Sequence, residues 1–190
     1  TQERVSASGA LLDDRLAGRI SFVKTDRDGV LENVTTGGQN NDLDNIALRA
    51  QLLFQPREDF SLRVSSDYSG FDANCCTQVY VGVGQTLKPA SRQYPALAAA
   101  THYTPASLDP FDRLTDIDAS LRVTSHEGGT SATADWNLGP ITVTSISAWR
   151  FWRWNAANDR DYTALSVQTR QGIPSRQDQY SQELRIASNG

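Results

Sequence analysis

The sequence is poor in the residues on which most catalytic and metal sites depend. Its 190 residues include two histidines, His102 and His126, two adjacent cysteines, Cys75 and Cys76, and no methionine. No Gly-x-Ser-x-Gly elbow accompanies the histidines, and adjacent cysteines lack the Cys-x-x-Cys spacing of zinc sites. We therefore expect no catalytic residue, no metal site and no cofactor. The spacing leaves open whether the cysteines are free thiols or form a vicinal disulfide.

Long hydrophobic runs and clusters of basic residues are absent as well. No apolar run approaches the roughly 20 residues that a membrane-spanning helix needs. The net charge of −4 and the pI of about 5.1 argue against a nucleic-acid partner. The mean hydropathy of −0.47 is typical of soluble proteins. Membrane β-barrels share that average, because half of each strand and every loop is polar, so composition does not exclude a membrane.

The two ends of the sequence predict an internal piece of a longer protein. The chain begins at Thr1, without the basic start and apolar stretch of a signal peptide. It ends at Gly190, directly after a strand-like pattern. In such a piece, the absence of a targeting signal says nothing about location.

The clearest pattern is an alternation of apolar and polar residues with a period of two between residues 43 and 71. Ile46, Leu48 and Leu52 alternate with polar residues, and the rhythm resumes at Phe60 after the segment 55–59, QPRED. A period of two predicts strands, and the polar interruption predicts a turn between them. The predicted hairpin has one apolar face and one polar face, the latter carrying Arg49, Gln51, Arg63 and Asp67. The apolar face fits either the core of a soluble β-sandwich or the lipid side of a membrane barrel.

The connections between the predicted strands alternate in length. Further strands are predicted at 3–8, 16–25, 118–126, 130–138, 141–154 and 178–188. The short turns are predicted at 9–15, 55–59 and 137–140. The long connections are predicted at 26–42, 72–117 and 155–177. In an up-and-down sheet, this alternation puts the short turns at one end and the long loops at the other, which is typical of outer-membrane barrels and not of a Greek-key sandwich.

Aromatic and charged residues follow the same scheme. Trp149, Phe151, Trp152 and Trp154 lie at the loop-proximal end of their strand, where a membrane-interface girdle is expected; the alternative is a sandwich core. Charged residues on polar faces are interpreted as paired, solvated groups lining a lumen: Arg19, Arg49, Arg63, Asp67, Asp135, Glu183 and Arg185.

Two acidic segments have part of the pattern of a calcium loop. The first, at residues 26–29, ends after Gly29, and the second, at 40–44, has Asn45 and Gln51 where a calcium loop requires Gly and Glu. Both segments are therefore interpreted as turns.

Four segments in order resemble the barrel of TonB-dependent outer-membrane receptors. They are GALLDDRLAGRISFVKTDRDG, LRAQLLFQPREDFSLRVSSDYS, ADWNLGPITVTSISAWR and YSQELRIAS. The segment Asn74–Cys76, NCC, resembles receptors of the alphaproteobacterial, sphingomonad-like type. The resemblance implies an all-β fold of antiparallel up-and-down strands, part of a transmembrane barrel of about 22 strands with short periplasmic turns and long extracellular loops. Residues 1–190 would be a partial barrel domain without the plug domain, the remaining strands or the TonB box.

The resemblance also implies a function and partners. It implies energised uptake of a scarce ligand, of the siderophore, cobalamin or oligosaccharide class, across the outer membrane of a Gram-negative bacterium, with no covalent chemistry. The implied partners are the lipid bilayer, the protein's own plug and remaining strands, and the TonB complex through the missing N-terminal part, with no nucleic acid. Ligand contacts would lie in the long loops, with Tyr80, Tyr94, Tyr103 and Tyr162 as candidates. A soluble β-sandwich binding module, for example for glycans, is the alternative, and an enzyme is the least favoured interpretation.

Overall fold

The computed structural model describes residues 1–167 and 171–189, and its dominant element is one sheet of seven antiparallel strands. The strands are β1 (Gln2–Leu12), β2 (Leu16–Arg27), β5 (Leu43–Arg57), β6 (Phe60–Asn74), β8 (Arg122–Asn137), β9 (Ile141–Ala157) and β10 (Gly172–Ser188). Their order in the sheet is their order along the chain, so each strand pairs with its predecessor and its successor. The fold class is therefore all-β with up-and-down antiparallel strands, as predicted.

The loops carry the smaller elements. A second sheet joins β4 (Gly38–Asn40), β3 (Leu31–Asn33) and β7 (Leu114–Thr115), with β3 and β7 parallel. The segment after β6 contains the helix α1 (Tyr94–Ala100) and two single 3-10 turns, Ala90–Arg92 and Pro110–Asp112. Among the described residues, no helix has the length and apolar character needed to cross a membrane.

The connections confirm the predicted alternation of short and long. β1–β2, β5–β6 and β8–β9 are joined by residues 13–15, 58–59 and 138–140, whereas β2–β5, β6–β8 and β9–β10 are joined by 28–42, 75–121 and 158–171. Since neighbouring strands are antiparallel, all three short turns lie at one end of the sheet and all three long connections at the other. Part of the last connection, 168–170, lies outside the described residues.

Several strands are longer than the sequence predicted. Residues 9–12 and 55–57 belong to strands rather than turns, and the predicted strands 118–126 and 130–138 are largely one strand, β8. Residues 155–157 and 172–177, predicted as loop, extend β9 and β10. Pro174 pairs with Asn155, and its missing N–H is tolerated because β10 is the last strand of the described sheet. In each case cross-strand pairing overrode local turn signals.

The sandwich interpretation is wrong for the described residues. The second sheet has strands of only two or three residues, too short to cover the large one. On the large sheet, the apolar side chains of Leu184 and Ile186 remain 66% and 67% exposed. The buried apolar residues lie instead at the long-loop end, where Ala73, Val123 and Ala156 of the sheet are buried together with Ile117 and Leu121 of the loop 75–121.

Candidate functional site

The register of the sheet separates two chemically different faces. Residues paired across neighbouring strands point to the same side, and successive residues of one strand point to opposite sides. One row joins Leu184, Ser145, Ala134, Leu62, Phe54 and Leu16. We call the side that carries this row and Leu52 the apolar face, and the side that carries Gln51 the polar face. The neighbouring row, which contains Arg185, Thr144 and Asp135, lies on the polar face.

All the charged residues that the sequence assigned to a polar face lie on it. They are Arg19, Arg49, Arg63, Asp67, Asp135, Glu183 and Arg185. Several are paired: Arg185 contacts Glu183, and the Thr144 hydroxyl donates to Asp135 at 2.6 Å. The face therefore presents charges, some of them bonded, together with hydroxyls, which suits a water-filled interior and not a dry core.

One ion pair on the polar face spans a whole strand. Arg150 of β9 and Asp67 of β6 lie on either side of β8, in the row whose β8 member is Gly129. Nη1 of Arg150 is 2.7 Å from each carboxylate oxygen of Asp67. Because Gly129 has no side chain, the arginine can pass over β8. Gly129 therefore leaves the space that the ion pair needs.

Along the strands, the apolar face ends at a defined row of paired residues on the side of the long loops. The side chains of this face are mostly apolar between two limiting rows. One row contains Trp136, Val143 and Ile186, and the other contains Leu48 and Phe151. The next row towards the long loops carries the basic residues Lys24, His126, Arg153 and Arg176. The eight residue steps from Val143 to Phe151 span about 26 Å along the strand, the scale of the apolar band of outer-membrane barrels.

Most polar side chains inside this band bond to one another, whereas Tyr68 and Asp178, in its last row, bond to His126 and Arg153 of the next row. The hydroxyls of Ser66 and Thr130, on adjacent strands, are 2.9 Å apart. Gln182 of β10 donates to Ser145 at 3.1 Å and accepts from Ser147. In an apolar solvent an unbonded polar group costs several kcal/mol, so lateral pairing makes these residues compatible with lipid.

The four aromatic residues predicted to form one girdle are divided between the two faces. Trp149 and Phe151 lie on the apolar face with ring centroids 5.4 Å apart. Trp152 and Trp154 lie on the polar face, where their rings stack at 5.7 Å and the indole N–H of Trp152 donates to Ser125 at 3.0 Å. A regular strand alternates its side chains, so four neighbouring aromatic residues cannot share one face. Only Trp149 and Phe151, at the loop-side edge of the band, have the position of an interface girdle.

Three of the four candidate ligand-binding tyrosines are brought together in the loop 75–121. Tyr80 and Tyr94 stack at 4.9 Å, and Tyr103 meets Tyr94 edge-on at 6.5 Å. The Tyr103 hydroxyl donates to Asp116 at 2.6 Å. Burial and this carboxylate raise the pKa of Tyr103, so the hydroxyl remains a donor at any physiological pH. These contacts hold the loop together, and a ligand-binding role stays a prediction.

Tyr162 lies in a different loop, next to a buried carboxylate that was not among the predicted site residues. Asp159 is fully buried, and its Oδ1 accepts hydrogen bonds from the backbone N–H groups of Asp161 and Tyr162, each at 3.0 Å. Among residues 1–167 and 171–189, its Oδ2 has no hydrogen-bond partner. Burial is the main cause that raises the pKa of Asp159, and the nearby carboxylates of Asp161 and Asp118 raise it further. The pattern Asp-x-Asp-x-Thr at 159–163 is the signal for such turns.

Because of the Asp159 carboxylate, we expect the stability of this loop to depend on pH. Because its folded pKa is raised, its contribution to stability is present at low pH and is lost as the pH rises through that pKa. Asp159→Asn, which keeps the Oδ1 acceptor and removes the charge, should therefore slow tryptic cleavage after the exposed Arg160 at pH 8. Asp159→Ala is the control, since it removes the acceptor and should speed cleavage. Cleavage of the two variants at the same rate would contradict the assignment.

The structure also settles the state of the cysteine pair and bears on metal binding. Cys75 and Cys76 form a vicinal disulfide at the end of β6. Within residues 1–167 and 171–189, no three or more His, Cys, Asp or Glu side chains are arranged to hold a metal ion.

Comparison with known proteins identifies the fold. No protein-family model matches the chain, and no curated protein is significantly similar to it in sequence. The structure is similar to that of the ferric yersiniabactin uptake receptor FyuA from Yersinia pestis, with a TM-score of 0.69 over 100% of this chain and 17% sequence identity. The chain spans 26% of that receptor's length. At this identity the likeness shows the fold alone: the seven-stranded sheet has the fold of a fragment of a β-barrel.

Proposed function

We propose that this chain is part of the barrel of a TonB-dependent outer-membrane receptor that takes up a scarce ligand. The observation that carries the proposal is the uncovered apolar face, which runs across the strands of the sheet and stops at the row that carries Lys24, His126, Arg153 and Arg176. A soluble protein rarely exposes a continuous apolar surface of this size. A bilayer covers such a surface, and the polar face then lines the interior of the barrel.

The likeness to FyuA supports a receptor for uptake. The class of ligand is the most specific part of the proposal. FyuA is described as an uptake receptor for ferric yersiniabactin. For this chain we propose a siderophore as the first candidate and keep cobalamin and oligosaccharides as the other members of the proposed class. The long loops that contain Tyr80, Tyr94, Tyr103 and Tyr162 lie at one end of the sheet, where a ligand outside the cell would first meet the protein.

The proposed mechanism uses binding and displacement, without covalent chemistry. The outer loops and a plug domain hold the ligand, and the TonB complex of the inner membrane displaces the plug. The contribution of this chain is the wall of the passage: the paired Arg150 and Asp67 and their neighbours on the polar face keep it rigid and hydrated. Plug and TonB partnership are proposals that rest on the resemblance of the sequence to the receptor family.

Spin labels on neighbouring residues test the membrane assignment. With Cys75 and Cys76 replaced, single labelled cysteines at Leu48, Leu62 and Leu184 should be accessible to oxygen dissolved in the bilayer. The matched controls are the next residues in the chain, Arg49, Arg63 and Arg185, which lie on the opposite face and should be accessible to a water-soluble nickel chelate. Leucine sites that are shielded from both reagents would contradict the proposal.

Growth under nutrient limitation tests the ligand class separately. A strain that lacks the gene should grow poorly when its iron is supplied as a ferric siderophore, and the complete gene should restore growth. Normal growth on siderophore iron with a defect on cobalamin or an oligosaccharide would move the assignment within the class. Normal growth on all three would overturn the proposed uptake, even if the spin labels establish the membrane barrel.

A further inference from the structure

The vicinal disulfide lies at the point where the longest loop leaves the sheet. Cys75 follows the last residue of β6 and extends the ladder by one bond, its N–H donating to the carbonyl of Leu121 at 3.2 Å. Cys76 is exposed, whereas Cys75 is partly buried. The bridge therefore separates the rigid sheet from the loop that carries the tyrosine cluster, and one of its sulfur atoms belongs to an exposed residue.

The residue after the bridge is tied to a second loop. The backbone N–H of Thr77 donates to Oδ1 of Asn41 at 2.9 Å, and Nδ2 of Asn41 donates to the Thr77 carbonyl at 3.1 Å. Asn41 in turn donates its own N–H to the carbonyl of Asn74 at 2.6 Å. Thr77 is only 7% exposed. The Asn41–Thr77 pair thus joins the loop 28–42 to the loop 75–121 on either side of the disulfide.

The backbone between these two attachments has an uncommon conformation inside the ring that the bridge closes. Cys76 has a φ of 74°, in the left-handed region that residues with a side chain rarely adopt. A disulfide between adjacent cysteines closes a small ring that contains the peptide bond between them, and this ring restricts the backbone of both residues. Once the ring is open, Cys76 can return to an ordinary φ. Such a rotation would change the direction of the chain at Thr77 and separate Thr77 from Asn41.

We propose that Cys75–Cys76 is a redox modification site whose reduction by a dithiol releases Thr77 from Asn41 and loosens the loop 75–121 where it leaves the sheet. A thiolate of the reductant attacks Sγ of the exposed Cys76, which forms a mixed disulfide and expels the Cys75 thiolate. In the mixed disulfide, one sulfur atom of the reductant is bonded to Sγ of Cys76. The second thiolate of the reductant attacks that reductant sulfur and expels the Cys76 thiolate. The reductant leaves as a cyclic disulfide, two electrons have passed to the cysteines, and both thiolates take up protons.

Hydrogen exchange at single amides tests the proposal in the complete protein, isolated without reductant. On treatment with dithiothreitol, the mass should rise by two hydrogens and the Thr77 amide should exchange about tenfold faster or more. Amides in the middle of β6, such as that of Val64, should keep their rates, which separates local release from unfolding.

Two variants serve as controls. Cys75→Ser with Cys76→Ser should show the fast rate at Thr77 with or without dithiothreitol. Asn41→Ala should show the fast rate although its disulfide is intact, because it removes the bonds that the bridge maintains. Three results would overturn the proposal: free thiols in the isolated protein, a disulfide that dithiothreitol does not reduce, or a reduced pair with unchanged exchange at Thr77.

Discussion

Replacing Leu52 by arginine is expected to lower the free energy of unfolding in a bilayer by about 2–4 kcal/mol, the cost of a basic side chain at the midplane of a membrane barrel. Leu52 lies near the middle of the apolar band, two rows from each limiting row, and its side chain is 44% exposed. Nothing among the described residues covers it, so in the proposed barrel the new guanidinium would face lipid. Urea titration of the protein refolded into lipid vesicles measures the change.

Leu53 provides a matched control for this substitution. It is the same residue type, one position further along β5, and it pairs with Arg63 on the polar face. Leu53→Arg should cost less than about 1 kcal/mol, the scale of a like-charge contact across a strand pair. Equal losses at Leu52 and Leu53 would contradict the assignment of the two faces to lipid and water.

Replacing Gly129 by valine is expected to cost at least about 2 kcal/mol of unfolding free energy, because overpacking and a lost ion pair act together. A Cβ atom at Gly129 would lie 2.2 Å from the Trp149 carbonyl oxygen and 2.8 Å from Cδ of Arg150. The strand must therefore shift, and the arginine can no longer cross β8 to Asp67. The same urea titration measures the loss.

Gly172→Val is the control, because it replaces a glycine in a strand without the close contacts found at Gly129. Gly172 also belongs to a strand, but a Cβ atom there would meet nothing within 4 Å. Its replacement should change the free energy of unfolding by no more than about 0.5 kcal/mol. A Gly129→Val protein as stable as the parent would show that the glycine is not needed for the ion pair.

The features that depend on alternation within a strand could be predicted from the sequence. The hairpin of β5 and β6, the polar positions of Arg49 and Asp67, and the alternation of short and long connections all follow from a period of two and from turn chemistry. These signals are local, so a single sequence contains them.

The features that depend on distant partners could not be predicted. Pro174 and the pair Gly128–Gly129 indicate breaks, but the ladders of neighbouring strands carry the chain through them. The stacking of Tyr80 on Tyr94 and the burial of Asp159 arise from loop packing that has no sequence period. Alternation within β9 separates Trp152 and Trp154 from Trp149 and Phe151, and the membrane-interface role of these residues stays a prediction.

In the proposed outer-membrane barrel, the length of the strands has a consequence for the outside of the cell. β9 has 17 residues, which at about 3.3 Å each extend roughly 56 Å, about twice the span of the apolar band. With that band in the bilayer, the hydrogen-bonded wall continues well above the lipid as a stiff collar. In the proposed receptor, antibodies that reach past the long loops would meet this collar. They would recognise side chains from adjacent strands together, so their epitopes would be conformational and would be lost in linear peptides.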